Sequence, residues 1–388
     1  MSKRIKRVAL AVPIGVPHLE RAVGGFLEYA ARHGRWRLAT SPESPILSLD
    51  GLRGWPGDGV LAFINTPAEA RTIARLGLPA VNISGALQRS PVPRVRVADR
   101  AVGRLAAEHL LDRGFRQFAY YGVEGVWYAQ LRGEGFREVV ERAGAECNVF
   151  LAPSTLGRRA AWSQVDRPLR AWLKSLPLPA GVFACSDYRA RLILEGCQEL
   201  GLAVPDDVAV LGVNNDTIAC EFCEPPLSSV SRSSERVGRE AAALLGRLMA
   251  GKPSPEADVL VPPNGVVCRR STDQFALGNA NVAAAVRYMH EHLSEAISIG
   301  AFAREHAISR RTLEHAFREI LGRTPHGYLT SLRVRRARQL LGEQPSLPLH
   351  AVAKACGFCD AKRLRAAFSE AVGLSPSDYR RKYGVAGG

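Results

Sequence analysis

At 388 residues, with 46% hydrophobic and 23% charged side chains, the chain has apolar material for two or three globular domains. No run of eighteen apolar residues is present, which excludes a membrane-spanning helix, and the opening MSKRIKRVALAVPIG lacks the long apolar region and small-residue cleavage site of a signal peptide. The formal net charge of +15 favours a polyanionic partner, because Lys and Arg that neutralise phosphates release condensed counterions.

The charge is uneven. Residues 280–388 hold 17 Lys and Arg against 9 Asp and Glu, an excess of 8, while the other 279 residues hold 35 against 28, an excess of 7. The nucleic-acid end is therefore expected at the C-terminus. Eight scattered cysteines with no secretory signal imply free thiols in a reducing cytoplasm. Two C-x-x-C spacings, Cys220/Cys223 and Cys356/Cys359, read either as zinc or redox sites or as chance spacings. Neither has a second Cys or His pair at ligand spacing, so no metal and no cofactor are expected.

Along the first 270 residues, apolar runs alternate with amphipathic stretches. The runs are Val8–Ile14, Gly59–Ile64, Ala80–Ile83, Gln117–Tyr121, Gly181–Ala184 and Val208–Val213. The helical stretches are Leu19–Arg32, Arg100–Arg113, Leu131–Ala143, Tyr188–Leu200 and Arg236–Ala250. Near-continuous apolar strands alternating with helices predict parallel sheets covered on both faces, and their length predicts two lobes. Gly114 and Gly201 fall where a C-terminal glycine ends a helix, and Asp99 is expected to N-cap one.

Ligands of open α/β sheets bind beyond the carboxyl ends of the strands. The residues there are His18, Glu20 and Arg21; Trp127, Arg132 and Phe136; Ser186, Asp187 and Arg189; and Asn214, Asn215 and Asp216. Aromatic faces with amides, carboxylates and an arginine suit a monosaccharide, whose hydroxyls and C–H surface need both. The candidate contacts are Glu20, Arg21, Trp127, Arg132, Phe136, Asp187, Asn214 and Asn215. Structural readings stand beside them: Asp187 as a helix N-cap, Trp127 as packing between lobes, Arg132 paired with Glu134 or Glu138, and the two asparagines as a turn. No nucleophile elbow, phosphate-cradling loop or metal-binding His pair on a helix is present, so no catalytic residue is assigned.

The stretch GVFACSDYRARLILEGCQELGLAVPDDVAVLGVNND, followed by PPLSSVSRSSERVGREAAALL, resembles the effector domain of lactose/galactose-type repressors and periplasmic sugar-binding proteins. AQLRGEGFREVVERAG resembles the same family's sugar-side helix, which makes Arg132 the hydroxyl-binding arginine. Members of that family carry their DNA-binding helices ahead of the effector domain. Here the first strand opens the chain, so the DNA-binding part is expected elsewhere.

After Ser271-Thr272-Asp273 the strand pattern stops, and Gln274–Asn279 reads as a linker. At an offset of 51, Leu313, Ala316, Phe317, Glu319, Gly322, Pro325 and Tyr328 recur as Leu364, Ala367, Phe368, Glu370, Gly373, Pro376 and Tyr379. The i, i+4 apolar pairs share one helix face, Gly ends the helix, and Ser/Thr-Pro starts the next. Each copy completes a helix-turn-helix. The first is Ile299–His306, a turn at Ala307–Ser309, and Arg310–Ile320; the second is Leu349–Ala355, a turn at Gly357, and Ala361–Val372. Ser309 and Asp360 are the expected N-caps. The polar faces carry Arg310, Arg311, Glu314, His315 and Arg318 in one copy and Lys362, Arg363, Arg365 and Ser369 in the other, as helices reading base edges and phosphates require. A solvated basic face on a small bundle is the bland reading of one copy; two with matching punctuation argue against it.

These repeats resemble the AraC family, over residues 282–384. The resemblance implies that each recognition helix enters a major groove on successive turns of one DNA face. The stretch Cys359-Asp360-Ala361-Lys362 departs from its usual Ser-Asp-x-Ser pattern. The whole chain, the CRRSTD stretch included, resembles the xylose operon regulators. That likeness implies D-xylose as effector and promotion of transcription, with Asn214 standing where relatives usually carry Asp. The expected architecture is an effector domain over residues 1–273, a linker over 274–281 and a DNA-binding domain over 282–388. The expected protein is a homodimeric, sugar-responsive regulator that contacts operator DNA and RNA polymerase. Rival readings are a sugar-processing enzyme with a basic tail, a regulator of another monosaccharide, and a constitutive DNA-binding protein.

Overall fold

The computed structural model describes residues 5–33, 36–39, 48–154, 163–273, 279–344 and 346–383. In chain order the first lobe opens with β1 (Lys6–Ala11), α1 (Pro17–His33), β2 (Trp36–Ala39), β3 (Gly59–Ala62), α2 (Pro67–Arg75), β4 (Ala80–Asn82) and β5 (Val95–Val97). The second lobe contains α3 (Asp99–Asp112), β6 (Gln117–Val123), α4 (Trp127–Arg142), β7 (Cys147–Ala152), α5 (Ser163–Ser175), β8 (Ala180–Ala184), α6 (Asp187–Leu200), β9 (Val208–Val213), α7 (Thr217–Glu221) and β10 (Ser228–Ser231). The chain then returns to the first lobe for α8 (Ser234–Met249) and β11 (Val259–Val261), and to the second for β12 (Gly265–Val267).

The first lobe holds a parallel sheet in the order β2-β1-β3-β4. The second holds the order β12-β10-β9-β8-β6-β7, parallel except for β12. Between the lobes' sheets, β5 pairs with β11. β3, β8 and β9 are buried at every residue, because helices cover both sheet faces. Six of the described strands were missed in the sequence: β5, β11 and β12 have three residues each, β2 and β10 have four, and β7 is an edge strand of mixed burial. Asp99 is not the cap of α3. It is the first helical residue, behind Ala98, and its carboxylate serves another purpose.

Small residues let α1 and α8 cross at backbone contact. A Cβ on Gly238 would lie 1.7 Å from the Ala22 carbonyl oxygen, and one on Gly25 1.9 Å from that of Glu235. Neither carbonyl can move without shifting a helix, and overpacking a close-packed core costs about 1–3 kcal/mol. Gly238→Ala is expected at or above the upper end of that range in chemical denaturation. Gly24→Ala, with nothing within 4 Å of its Cβ, should be neutral or stabilising. Equal stabilities of the two variants would refute the close crossing.

The C-terminal part is all-helical: α9 (Ala280–Glu291), α10 (Ile299–Glu305), α11 (Arg310–Leu321), α12 (Pro325–Glu343), α13 (Leu349–Ala355), α14 (Ala361–Val372) and α15 (Pro376–Tyr383). The linker expected at Gln274–Asn279 lies, for residues 274–278, outside the described residues; Asn279 N-caps α9. The repeat builds two cores. Leu313, Phe317 and Tyr328 anchor one, and Leu364, Phe368 and Tyr379 the other. Phe317 meets Tyr328 edge-on at 6.1 Å, and Phe368 meets Tyr379 edge-on at 5.3 Å. α12 spans both cores, with Leu329 and Leu332 in the first and Val334, Ala337 and Leu341 in the second. Ser309 and Asp360 cap the recognition helices, and Gly322 and Gly373 end them at φ +66° and +72°.

Candidate effector pocket and nucleic-acid interface

A cavity of about 100 Å³ lies between the two sheets, at their carboxyl ends. The first lobe contributes His18, Phe63, Asn65, Ser84 and Gly85. The second contributes Asp99, Tyr128, Arg132, Ser186, Asn214 and Arg232. Most of these residues follow a strand or open a helix, and Arg132 reaches in from the second turn of α4, so the sheet ends gather them at one point.

Arg132 is the centre of the site. Its Nε and Nη2 both lie 2.9 Å from Asp99 Oδ1, and Nη1 donates to the Cys185 carbonyl. Its guanidinium sits 4.8 Å from the centre of the Tyr128 ring. Asp99 Oδ2 takes a further bond, 3.2 Å, from Arg96 Nη1. Burial pushes the Tyr128 phenol up to about 12, so it serves only as a neutral hydroxyl. Burial, then the charges of Arg232, Arg132 and Arg21, hold His18 well below its ordinary value, so its ring is neutral. Two buried polar atoms here have no partner among the described residues: His18 Nδ1 and Arg232 Nε. Buried polar groups are almost always paired, so these two are set for something that enters the cavity.

The structure brings Arg132 and Asn214 into the cavity wall and leaves out the other six expected contacts. Asp187 is fully buried below it: its carboxylate accepts from the Asp216 backbone N–H at 2.8 Å and the Ser229 hydroxyl at 2.6 Å. Nor is it the N-cap of its helix, since Ser186 holds that position. Phe136 is core, packed with Phe118, Tyr120 and Phe183. Trp127 lies under Arg94 and Arg96, at 4.7 and 4.2 Å, and joins the lobes. Glu20 is exposed and accepts from the Gly15 N–H. Arg21 reaches across from α1 to the carbonyls of Asn214 (2.7 Å) and Asn215 (3.2 Å), a clasp between lobes. Asn215 is a turn residue at φ +50° whose side chain accepts from Arg269. Arg132 does not pair with Glu134 or Glu138; those carboxylates take Arg100 and Arg104. His18 and Ser186 stood among the strand-end residues. Phe63, Asn65, Ser84 and Gly85 follow β3 and β4, so the same rule finds them once applied to every strand.

On the DNA-binding side, Arg310, Arg311, His315 and Arg318 are exposed on α11, and Lys362, Arg363, Arg365 and Ser369 on α14. Glu314 is half-buried and accepts from Arg310 at 2.8 Å; His315 lies 3.3 Å from Glu319. The Asp360 carboxylate takes the Arg363 N–H at 2.7 Å, which fixes where α14 begins. Ala307 and Gly357 make the two turns at φ +51° and +75°. Among the described residues no cluster of His, Cys, Asp or Glu is arranged to hold a metal, and both C-x-x-C pairs are free thiols. No described helix is long and apolar enough to cross a membrane.

The two parts meet at the end of α3. Asp112 is buried there, ion-paired with Arg335 and 3.8 Å from Arg323, while its carbonyl accepts from the Tyr328 hydroxyl at 3.2 Å. Arg116 donates to the Ile320 carbonyl on α11. His109 and His290 line a cleft of about 390 Å³ at this junction. Burial, then Arg113 and Arg335, lowers His290 to about 3, and the same causes lower His109. A histidine depressed in the folded state contributes stability that is present above its unfolded value near 6.5 and lost as pH falls toward the folded value. Melting temperature is therefore expected to drop between pH 7 and 5, with a slope approaching ~1.4 kcal/mol per pH unit per histidine. His290→Gln should flatten that slope; an unchanged slope would refute the contribution of His290.

Two lobes hinged around a polar cavity, joined to a pair of helix-turn-helix units, define a ligand-responsive transcription regulator. A periplasmic binding protein-like domain model matches residues 107–272, and a helix-turn-helix domain model matches residues 302–382. The xylose operon regulatory protein of Escherichia coli (strain K12) is 30% identical over 382 residues, 96% of each chain. That of Haemophilus influenzae is 25% identical over 98% of this chain and 99% of its own. A solved structure of a xylose-binding transcription activator matches 99% of this chain and 100% of its own, with a TM-score of 0.63 and 28% identity. The chain belongs to the family of xylose operon regulatory proteins. It is a sugar-responsive, DNA-binding regulator and not an enzyme.

Proposed function

We propose that a monosaccharide occupies the cavity around Arg132, draws the two lobes together, and resets the helix-turn-helix pair through α3. The observation that carries this reading is the pair of unpartnered buried atoms, His18 Nδ1 and Arg232 Nε, one from each lobe. A ligand bridging them favours the closed form, and differential affinity for two states is what shifts an equilibrium. α3 supports the coupling. Asp99 at its first turn lines the cavity and Asp112 at its last holds Arg335, so one rigid helix of about 20 Å touches both sites. D-xylose, for which the relatives are named, is the neutral pentose that the reading is first tested with.

We assign residues 1–273 to the effector domain, 274–281 to the link and 282–388 to the DNA-binding domain, with α9 drawn into the latter because Val282, Val286 and Met289 sit in its first core. The protein works in the cytoplasm as a homodimer, each chain covering one half-site, and contacts RNA polymerase when it activates. Arg310, Arg311, Glu314, His315, Arg318, Lys362, Arg363, Arg365 and Ser369 face the DNA. Arg311→Ala and Arg363→Ala are each expected to weaken binding by about 1–3 kcal/mol where the side chain reads a base, without lowering the melting temperature. Gel shifts with a duplex selected by the full chain from a random pool test this; unchanged shifts in both variants would remove these helices from the interface.

A further inference from the structure

The cavity carries an unbalanced charge. Its wall holds two guanidiniums, Arg132 and Arg232, and one carboxylate, Asp99. Asp99 is already shared: one oxygen takes Arg132 and the other Arg96. Asp258, the next nearest acid in that chain of pairs, takes Arg94 and Arg96. Arg232 has no carboxylate within ion-pair distance among the described residues. Its one side-chain hydrogen bond among the described residues is from Nη1 to the Asn214 amide oxygen, at a long 3.4 Å, and its Nε is buried with no partner among them. Asn214 is neutral, and Arg21 fixes its backbone from the other lobe at φ +118°. His18 stands across the cavity, neutral, with its Nδ1 also without a partner among the described residues.

A charge in such a place is unfavourable unless something pairs with it, and breaking or omitting a partner leaves the full desolvation cost. A neutral sugar offers Arg232 only hydroxyl oxygens. A carboxylate offers two anionic oxygens matched to the guanidinium fork, the strongest pairing this side chain makes. We infer that the effector is a monosaccharide acid, a pentose- or hexose-sized polyol whose carboxylate pairs with Arg232 while its hydroxyls meet Arg132, Asp99 and Asn65. The inference rests on the effector-pocket reading above. Burial and the neighbouring Arg132 lower the Arg232 guanidinium only to about 10, so it remains charged at neutral pH and the anion finds a cation there.

The test is calorimetry and thermal shift on the full chain at fixed ionic strength, with D-xylose, D-xylonate, D-glucose, D-glucuronate and D-xylose 5-phosphate. At least one acid should bind ten-fold or more tightly than the neutral sugar of the same skeleton. Arg232→Gln should erase that advantage. Asn214→Asp, which supplies the missing carboxylate beside Arg232, should reverse it in favour of the neutral sugar. The second variant keeps the size of the side chain and leaves Arg232 in place, so it remains decisive if Arg232→Gln folds poorly. A wild-type preference for D-xylose or D-glucose would overturn the inference and leave the sugar pocket standing. A preference for the phosphate ester would overturn the carboxylate assignment. Silence from every compound in both assays would overturn the pocket reading as well.

Discussion

Arg132→Ala is expected to abolish the response to effector, weakening its binding by more than about 100-fold, and to lower unfolding stability by about 3–5 kcal/mol. Arg132 is 2% exposed and Asp99 1%. Removing the guanidinium leaves the Asp99 carboxylate buried with Arg96 alone and strands the Cys185 carbonyl. It also removes the donor fork at the centre of the cavity, where ligand hydroxyls have no other strong donor from α4. Arg132→Lys should fall between, since one ammonium cannot serve both Asp99 and Cys185. Calorimetry with the tighter-binding of D-xylose and D-xylonate, beside chemical denaturation, reads both effects. Full retention of affinity in both variants would place the effector elsewhere.

The second large effect is expected at the junction. Asp112→Ala removes the acid that holds Arg335 and leaves that guanidinium, which is 28% exposed, facing the effector domain unpaired. A loss toward the lower end of the ~3–5 kcal/mol range for breaking a buried pair is expected in the docking of the two parts. The functional signature is more specific. Effector affinity without DNA should stay within about three-fold of wild type, because the cavity lies at the other end of α3. The effector-dependent change in DNA affinity should fall below about two-fold, against the ~5–150-fold that ordinary allosteric coupling provides. Coupling of wild-type size in Asp112→Ala would show that the signal bypasses α3.

Much of this was legible in the sequence because repetition and periodicity are local. The offset of 51 located both cores, both caps and both terminal glycines, since each depends on residues three or four positions apart. The long buried strands were legible because burial on both faces leaves an unbroken apolar run. The pocket was only half legible. Strand-end position names candidates, but it does not say which side chain points inward. Asp187 is one residue past the Ser186 that lines the cavity, and Trp127 one before Tyr128; one step along a helix turns the side chain about 100° away. Phe136 lies one turn beyond Arg132 on α4, yet there the helix faces the sheet rather than the cleft. Arg232 was passed over because β10 was not read as a strand, so its end was not marked; Asp99 was named, but as a helix cap rather than as part of the cavity wall.

The central claim is that effector and DNA bias one equilibrium. Its most direct measurement titrates effector into the full chain with and without saturating duplex DNA, at fixed salt, using the selected duplex and the tighter-binding of D-xylose and D-xylonate. Linkage requires DNA to change effector affinity by the same factor by which effector changes DNA affinity, a coupling of about 1–3 kcal/mol. The account predicts a matched shift of about five-fold or more in both titrations. Effector affinities that coincide with and without DNA would contradict it.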